Sequence, residues 1–153
     1  MSCARVFHYW LEQWKENVYL VVGASSEELS KFCEEAFGVV WDGDANESWS
    51  GKALEITCSS SRDRTHVILM AIREFDLTPM LISCLAHECL HACEYILERA
   101  GIKHCNATSE VFAHTQETIF RLCLMDLMGD ENPAGDVQRQ EVTGMKREVT
   151  PTA

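Results

Sequence analysis

Five residues, His87-Glu88-Cys89-Leu90-His91, constrain this 153-residue chain more than any others. Two histidines four apart with a glutamate after the first form the pattern H-E-x-x-H, which carries chemical meaning only on an α-helix. There each residue advances about 100°, so His87 and His91 stand about 40° apart on one face and offer two imidazole nitrogens to one metal ion. Glu88 falls on the same side but displaced, in reach of a water on that metal rather than of the metal itself, which is where a general base belongs. The flanks predict such a helix. Residues 77–101 form one long, largely apolar helical pattern in which Thr78 and Pro79 read as an N-cap with a first-turn proline and Gly101 as a stop. A helix this apolar is expected to be buried, so its imidazoles need a partner: a metal ion, or each other in a hydrogen-bonded core pair. The helical context favours the metal.

Catalytic zinc takes three protein ligands and leaves one position open to water. Nineteen residues after His91 comes Glu110, near the start of a second helical pattern over residues 109–127 that Thr108 or Ser109 would cap. The short connection 101–107 predicts antiparallel neighbouring helices, which turns Glu110 back toward the first. His114, Glu117 and Arg121 share its face, and Ala113 permits close approach. The plain alternative is a solvated polar face; ligation by Glu110 is favoured over it.

The run Leu85-Ala86-His87-Glu88-Cys89-Leu90-His91-Ala92, followed by Gly101-Ile102, Asn106 and Glu110 through His114, resembles the gluzincins, zinc peptidases with a His, His, Glu ligand set. In particular it looks like the small single-domain metallopeptidases encoded by bacteriophages. The resemblance covers residues 51–127, and two positions depart from it. Ser109 precedes Glu110 where larger gluzincins carry Asn, and Ala113-His114 stands where phage relatives carry Ala-Tyr. It implies a minimal zincin-like domain in which Zn2+ is held by His87, His91 and Glu110. Glu88 would take a proton from the metal's water, whose pKa is lowered toward neutrality, as that water attacks a peptide carbonyl, and then pass it to the leaving amine. The oxyanion needs a further donor: His114, one turn after Glu110, is preferred and Tyr95, one turn after His91, comes second. Glu117 is a candidate to hold the proton on a ligand histidine's far nitrogen.

With 46% hydrophobic residues the chain can bury one core, so a single domain is expected over residues 1–129, with the polar stretch 130–153 as a flexible tail. No run of membrane-spanning length is apparent, and no basic segment leads into an apolar one at the N-terminus, so a cytoplasmic protein without a membrane partner is expected. A net charge of −11 with scattered basic residues disfavours nucleic acid bound through a basic surface and favours a protein or peptide substrate, basic ones above all. Eight cysteines without a C-x-x-C pair read as free thiols, with Cys89 and Cys93 on the helix face opposite the histidines. Cys84 shares the ligand face, where packing is favoured over ligation.

Ahead of the motif, residues 18–23 read as a strand, and Ser25 caps a helix that runs through Phe37. Residues 42–48 begin like a calcium loop, but Glu47 stands where glycine is needed and Ala53 where glutamate is, so calcium is rejected. Strands 53–58 and 65–73 read as an antiparallel hairpin turning through 59–63 and leading into the motif helix. The resemblance implies that 65–73 is an edge strand that pairs with extended substrate; the ordinary alternative is an internal strand. For residues 7–14 helix and strand stay open, because Trp10 and Trp14 match a helix face while the aromatic content favours strand. The fold expected is α+β, a small antiparallel or mixed sheet packed on two antiparallel helices that carry the metal. Two other functional classes stay in view: a zinc-stabilised interaction module without turnover, against which the intact Glu88 argues, and a narrow protease acting on a repressor or DNA-bound protein.

Overall fold

The computed structural model describes residues 4–41, 50–59, 64–74 and 76–129. Strands β1 (Arg5–Leu11) and β2 (Glu16–Val22) are followed by helix α1 (Ser26–Phe37), strands β3 (Gly51–Ser59) and β4 (Arg64–Ile72), and helices α2 (Pro79–Arg99) and α3 (Ser109–Met128). The chain is α+β. The rejected calcium loop, the turn between β3 and β4 and the expected tail lie outside the described residues.

The N-terminal segment left open is a strand. Tyr9 and Leu11 alternate into one face of the sheet with Phe7 packed beside them, while His8 stacks on Tyr19 on the other. Trp14 lies beyond β1, in the turn, where Lys15 adopts a left-handed φ of 55°. The helical spacing of the two tryptophans thus spans a strand and the turn that follows it.

The four strands lie in the order β1-β2-β4-β3, with β2 and β4 parallel and the other two pairs antiparallel. A parallel pair needs a long crossover, here supplied by α1 and β3 between β2 and β4. Strand β4 is therefore internal, and β1 and β3 are the edges. This overturns the expectation that residues 65–73 form an edge strand. Val67 through Ile72 are all buried, an unbroken apolar run suited to a strand covered on both faces. On one face α1 places Leu29 and Cys33 against Val21, Ile56 and Leu69. On the other, α2 and α3 bury Leu85, Ile96 and Ile119 with Leu20, Ile68 and Met70.

Local signals explain the helix ends. Ser25 and Glu28 form a reciprocal capping box on α1, and Thr78 caps α2 with Pro79 in its first turn. Gly101, with φ at 74°, takes the left-handed turn that stops α2. Thr108 occupies the N-cap of α3 without capping it; its hydroxyl donates instead to Lys103 O at 2.6 Å, knitting the connecting loop. The two helices run antiparallel as expected: Cys93 Sγ donates to Phe112 O at 3.4 Å, and Gln116 Nε2 to Ala86 O at 3.1 Å. By length and composition α2 is apolar enough to cross a membrane, contrary to the expectation that no run is. Leu85, Cys89, Ala92, Cys93, Ile96 and Leu97 direct that apolarity into the core.

A charged cluster closes the end of the sheet beneath the C-terminus of α2. Arg99 pairs with Glu16 at 3.1 Å and with Glu55 at 3.3 Å, and Glu55 lies 3.6 Å from His66. Burial raises the pKa of Glu16, and Arg99 and His66 offset part of that rise. A carboxyl raised in the folded state favours folding fully below its unfolded pKa, and this contribution is lost as pH rises through the folded value. Glu16→Gln removes that dependence, so the melting temperature of the variant should gain on that of the native chain between pH 4 and pH 7. A gap that moves against the variant would show that the Arg99 ion pair outweighs burial.

Candidate metal centre

Helix α2 is one-sided, and its phase fixes the site. The inward stripe of Leu85, Cys89, Ala92, Cys93 and Ile96 is buried in the core, which turns His87, His91, Glu94 and Glu98 outward. The histidines are accordingly not buried: His87 is exposed and the His91 side chain is 42% exposed. The expectation of buried imidazoles fails because the apolar residues that suggested it occupy the opposite face. Cys89 and Cys93 lie on that opposite face, as helix phase required.

The two imidazoles meet. His87 Nε2 and His91 Nε2 are 3.1 Å apart, with ring planes at 87°. Two nitrogens bound to one zinc at about 2.0–2.1 Å with tetrahedral angles lie roughly 3.3 Å from each other, so the pair fits a shared metal with little rearrangement. The same spacing fits a hydrogen bond between neutral rings. On its far side His91 Nδ1 lies 3.1 Å from Glu94 Oε2. A proton held there by the carboxylate leaves the Nε2 lone pair facing His87, the tautomer a ligand needs. Glu94, three residues beyond His91 on the same face, makes the histidine contact considered for Glu117. That helical spacing was the signal available in the sequence.

Glu88 departs from the expected geometry. One residue and 100° past His87, it turns inward and is only 5% exposed, packed against the start of β3. A Cβ on Gly51 would lie 2.8 Å from Glu88 Cγ, 2.9 Å from its Oε1 and 2.7 Å from Cys84 Sγ. Only glycine admits the strand this close. Burial raises the pKa of Glu88, and His87 and His91 pull it the other way. Burial likewise pushes up the Cys84 thiol, with Glu88 adding to the effect.

Glu110, His114 and Glu117 do not converge with the pair. Phe112, Thr115 and Ile119 form the inward face of α3, which leaves Glu110, His114 and Glu117 outside. The Glu110 side chain is 87% exposed, 3.9 Å from His114 Nε2, and Glu117 Oε2 lies 3.6 Å from His114 Nδ1. Among the described residues no three His, Cys, Asp or Glu side chains converge to hold a metal. Tyr95 is half-buried and lines a groove of about 500 Å3 together with His91, His104 and Phe112. Comparison with known proteins gives no match among family models, curated proteins or solved structures.

The contact at Gly51 has a measurable consequence. Gly51→Ala must displace Cys84 or Glu88, and overpacking of this kind costs about 1–3 kcal/mol. Gly51→Val should cost more, because the side chain grows toward the same two groups. Chemical denaturation of the three proteins checks the order; equal stabilities would mean that β3 withdraws from α2 without loss.

Proposed function

We propose that this chain is a zinc-dependent hydrolase of peptide bonds, built on a minimal zincin-like domain. The observation that carries the reading is the convergence of His87 and His91 at 3.1 Å, with Glu94 on the far nitrogen of one ring and the buried Glu88 beside the other. The sequence resemblance to gluzincins, including those of bacteriophages, points the same way. Zinc, when bound, polarises a carbonyl and lowers the pKa of water toward neutrality.

The remaining roles fall to named side chains. His87 and His91 hold the metal through Nε2, and Glu94 fixes the His91 tautomer. The third ligand we assign to Glu110, whose side chain is 87% exposed, lies 3.9 Å from His114 and turns without loss of packing. Glu88, its pKa raised by burial, is suited both to accept a proton from water and to return it to the departing amine. For the oxyanion donor, Tyr95 takes precedence over His114, because Tyr95 shares a groove wall with His91 whereas His114 stands between two carboxylates. An extended substrate has a natural partner in edge strand β3, whose first residue, Gly51, abuts Glu88. Strand β4, internal to the sheet, is unavailable for that pairing.

A second reading, a zinc-stabilised interaction module without turnover, draws on the failure of Glu110 and His114 to converge with the pair among the described residues. Two measurements separate the readings. The purified chain should bind one zinc, lost in the His87→Ala, His91→Ala double variant; Glu110→Ala should weaken binding about 100-fold or more, and Glu94→Ala nearer tenfold, as expected for a group that supports a ligand. A larger loss from Glu94→Ala than from Glu110→Ala would reverse the two assignments. Glu88→Gln should keep zinc and fold while lowering the rate of peptide hydrolysis about 10²–10⁴-fold. Cleavage products identified by mass spectrometry from native and variant protein supply the test, and identical products from both would remove Glu88 from the chemistry.

A further inference from the structure

Beside the imidazole pair runs the groove that His91 and Tyr95 line, about 500 Å3 in volume and walled by the C-terminal half of α2, the loop after it and the start of α3. Its floor is apolar. Phe112 is buried there, His104 packs edge-on against the Phe112 ring at 4.6 Å, and Ile102 is half-buried nearby. Its rim is charged: Glu94, Glu98 and Lys103. These three are not equivalent. Glu94 is engaged with His91, whereas Glu98 is exposed and has no ion-pair partner among the described residues. An apolar trough whose rim carries two carboxylates against one lysine, with Glu98 unpaired among the described residues, matches a side chain with a long aliphatic stem and a cationic head.

We propose that this groove seats an arginine or lysine side chain of the peptide substrate, close to the bond that is cut, with the stem over Phe112 and Ile102 and the head at Glu98. The assignment rests on the hydrolase reading, which it sharpens by naming the substrate class. His91 belongs both to the groove and to the imidazole pair, so a residue held in the one presents its neighbouring peptide bond to the other. The chain's net charge of −11 attracts basic peptides in general; the groove adds a position at which the charge is read.

The test uses an acetylated, amidated pentapeptide with arginine at its centre among alanines, and a twin with norleucine, which keeps the stem and removes the charge. Each is titrated into the full-length chain while the ring resonances of Tyr95 and His104 are followed by NMR. The arginine peptide should shift both rings and bind roughly tenfold more tightly than the twin, as expected for one charge-assisted contact. Glu98→Gln should remove most of that difference, and Glu98→Lys should abolish binding of the arginine peptide. Equal binding of the two peptides, shifts confined to other residues, or an undiminished arginine preference in Glu98→Lys would overturn the assignment. Hydrolysis of the same peptides with zinc is scored separately, against Glu88→Gln. Arginine-selective binding without cleavage upholds the groove and counts against the hydrolase, whereas cleavage indifferent to arginine upholds the hydrolase and overturns the groove.

Discussion

The seating of α2 on β3 and β4 is the contact on which the rest of the molecule depends. Small residues make it possible: Ala92 on the helix and Gly51 and Ala53 on the strand let the backbones approach, while Leu85 and Ile96 fill the space between. Each large apolar side chain buried there stabilises the fold by about 1.5–3 kcal/mol, which together hold the helix at one rotation. That rotation decides the chemistry. It turns His87 and His91 toward solvent as a converged pair, and it carries Glu88 inward against the desolvation cost of burying a carboxylate.

What was legible in the sequence was local. The capping box of Ser25 and Glu28, the cap and proline opening α2, the glycine that stops it and the pairing of β3 with β4 all depend on neighbours along the chain. The parallel pairing of β2 with β4 was not legible, since it joins strands separated by a helix and another strand. The exposure of the histidines was missed for another reason: composition reports how apolar α2 is, whereas helix phase, which sets Cys89 and Cys93 opposite the histidines, reports which side that apolarity takes. The nineteen residues from His91 to Glu110 correctly implied antiparallel helices but carry no information about the rotation of α3, which is set by Phe112, Thr115 and Ile119 turning inward. Trp10 and Trp14 left the first segment undecided because a turn begins between them.

The two ends of α2 have different surroundings. Its first turn carries Thr78 and the exposed Met80, whereas its last residue, Arg99, reaches back to Glu16 and Glu55. Glu16 opens β2 and Glu55 lies on β3, so one guanidinium ties the N-terminal hairpin, the edge strand and the helix that carries the histidines. Glu98, immediately before it, points the other way, toward the groove. Adjacent residues thus serve the scaffold and the open surface.

The cysteines at the seam between α2 and α3 make the molecule a recorder of its own integrity. Cys89, Cys93 and Cys123 are buried; burial pushes the Cys93 thiol up to about 11, and Cys89, hydrogen-bonded to Cys123, is raised further still. Thiols in that state are nearly inert toward alkylating agents. Cys105 is their opposite, exposed in the loop before α3 with its pKa lowered by the Thr108 hydroxyl and by the amides of Ala107 and Thr108. An electrophile therefore marks Cys105 at once and the three seam thiols only when the helices part. The second rate is the opening rate of the layer that aligns the imidazoles, so the chain carries a clock for the persistence of its own site.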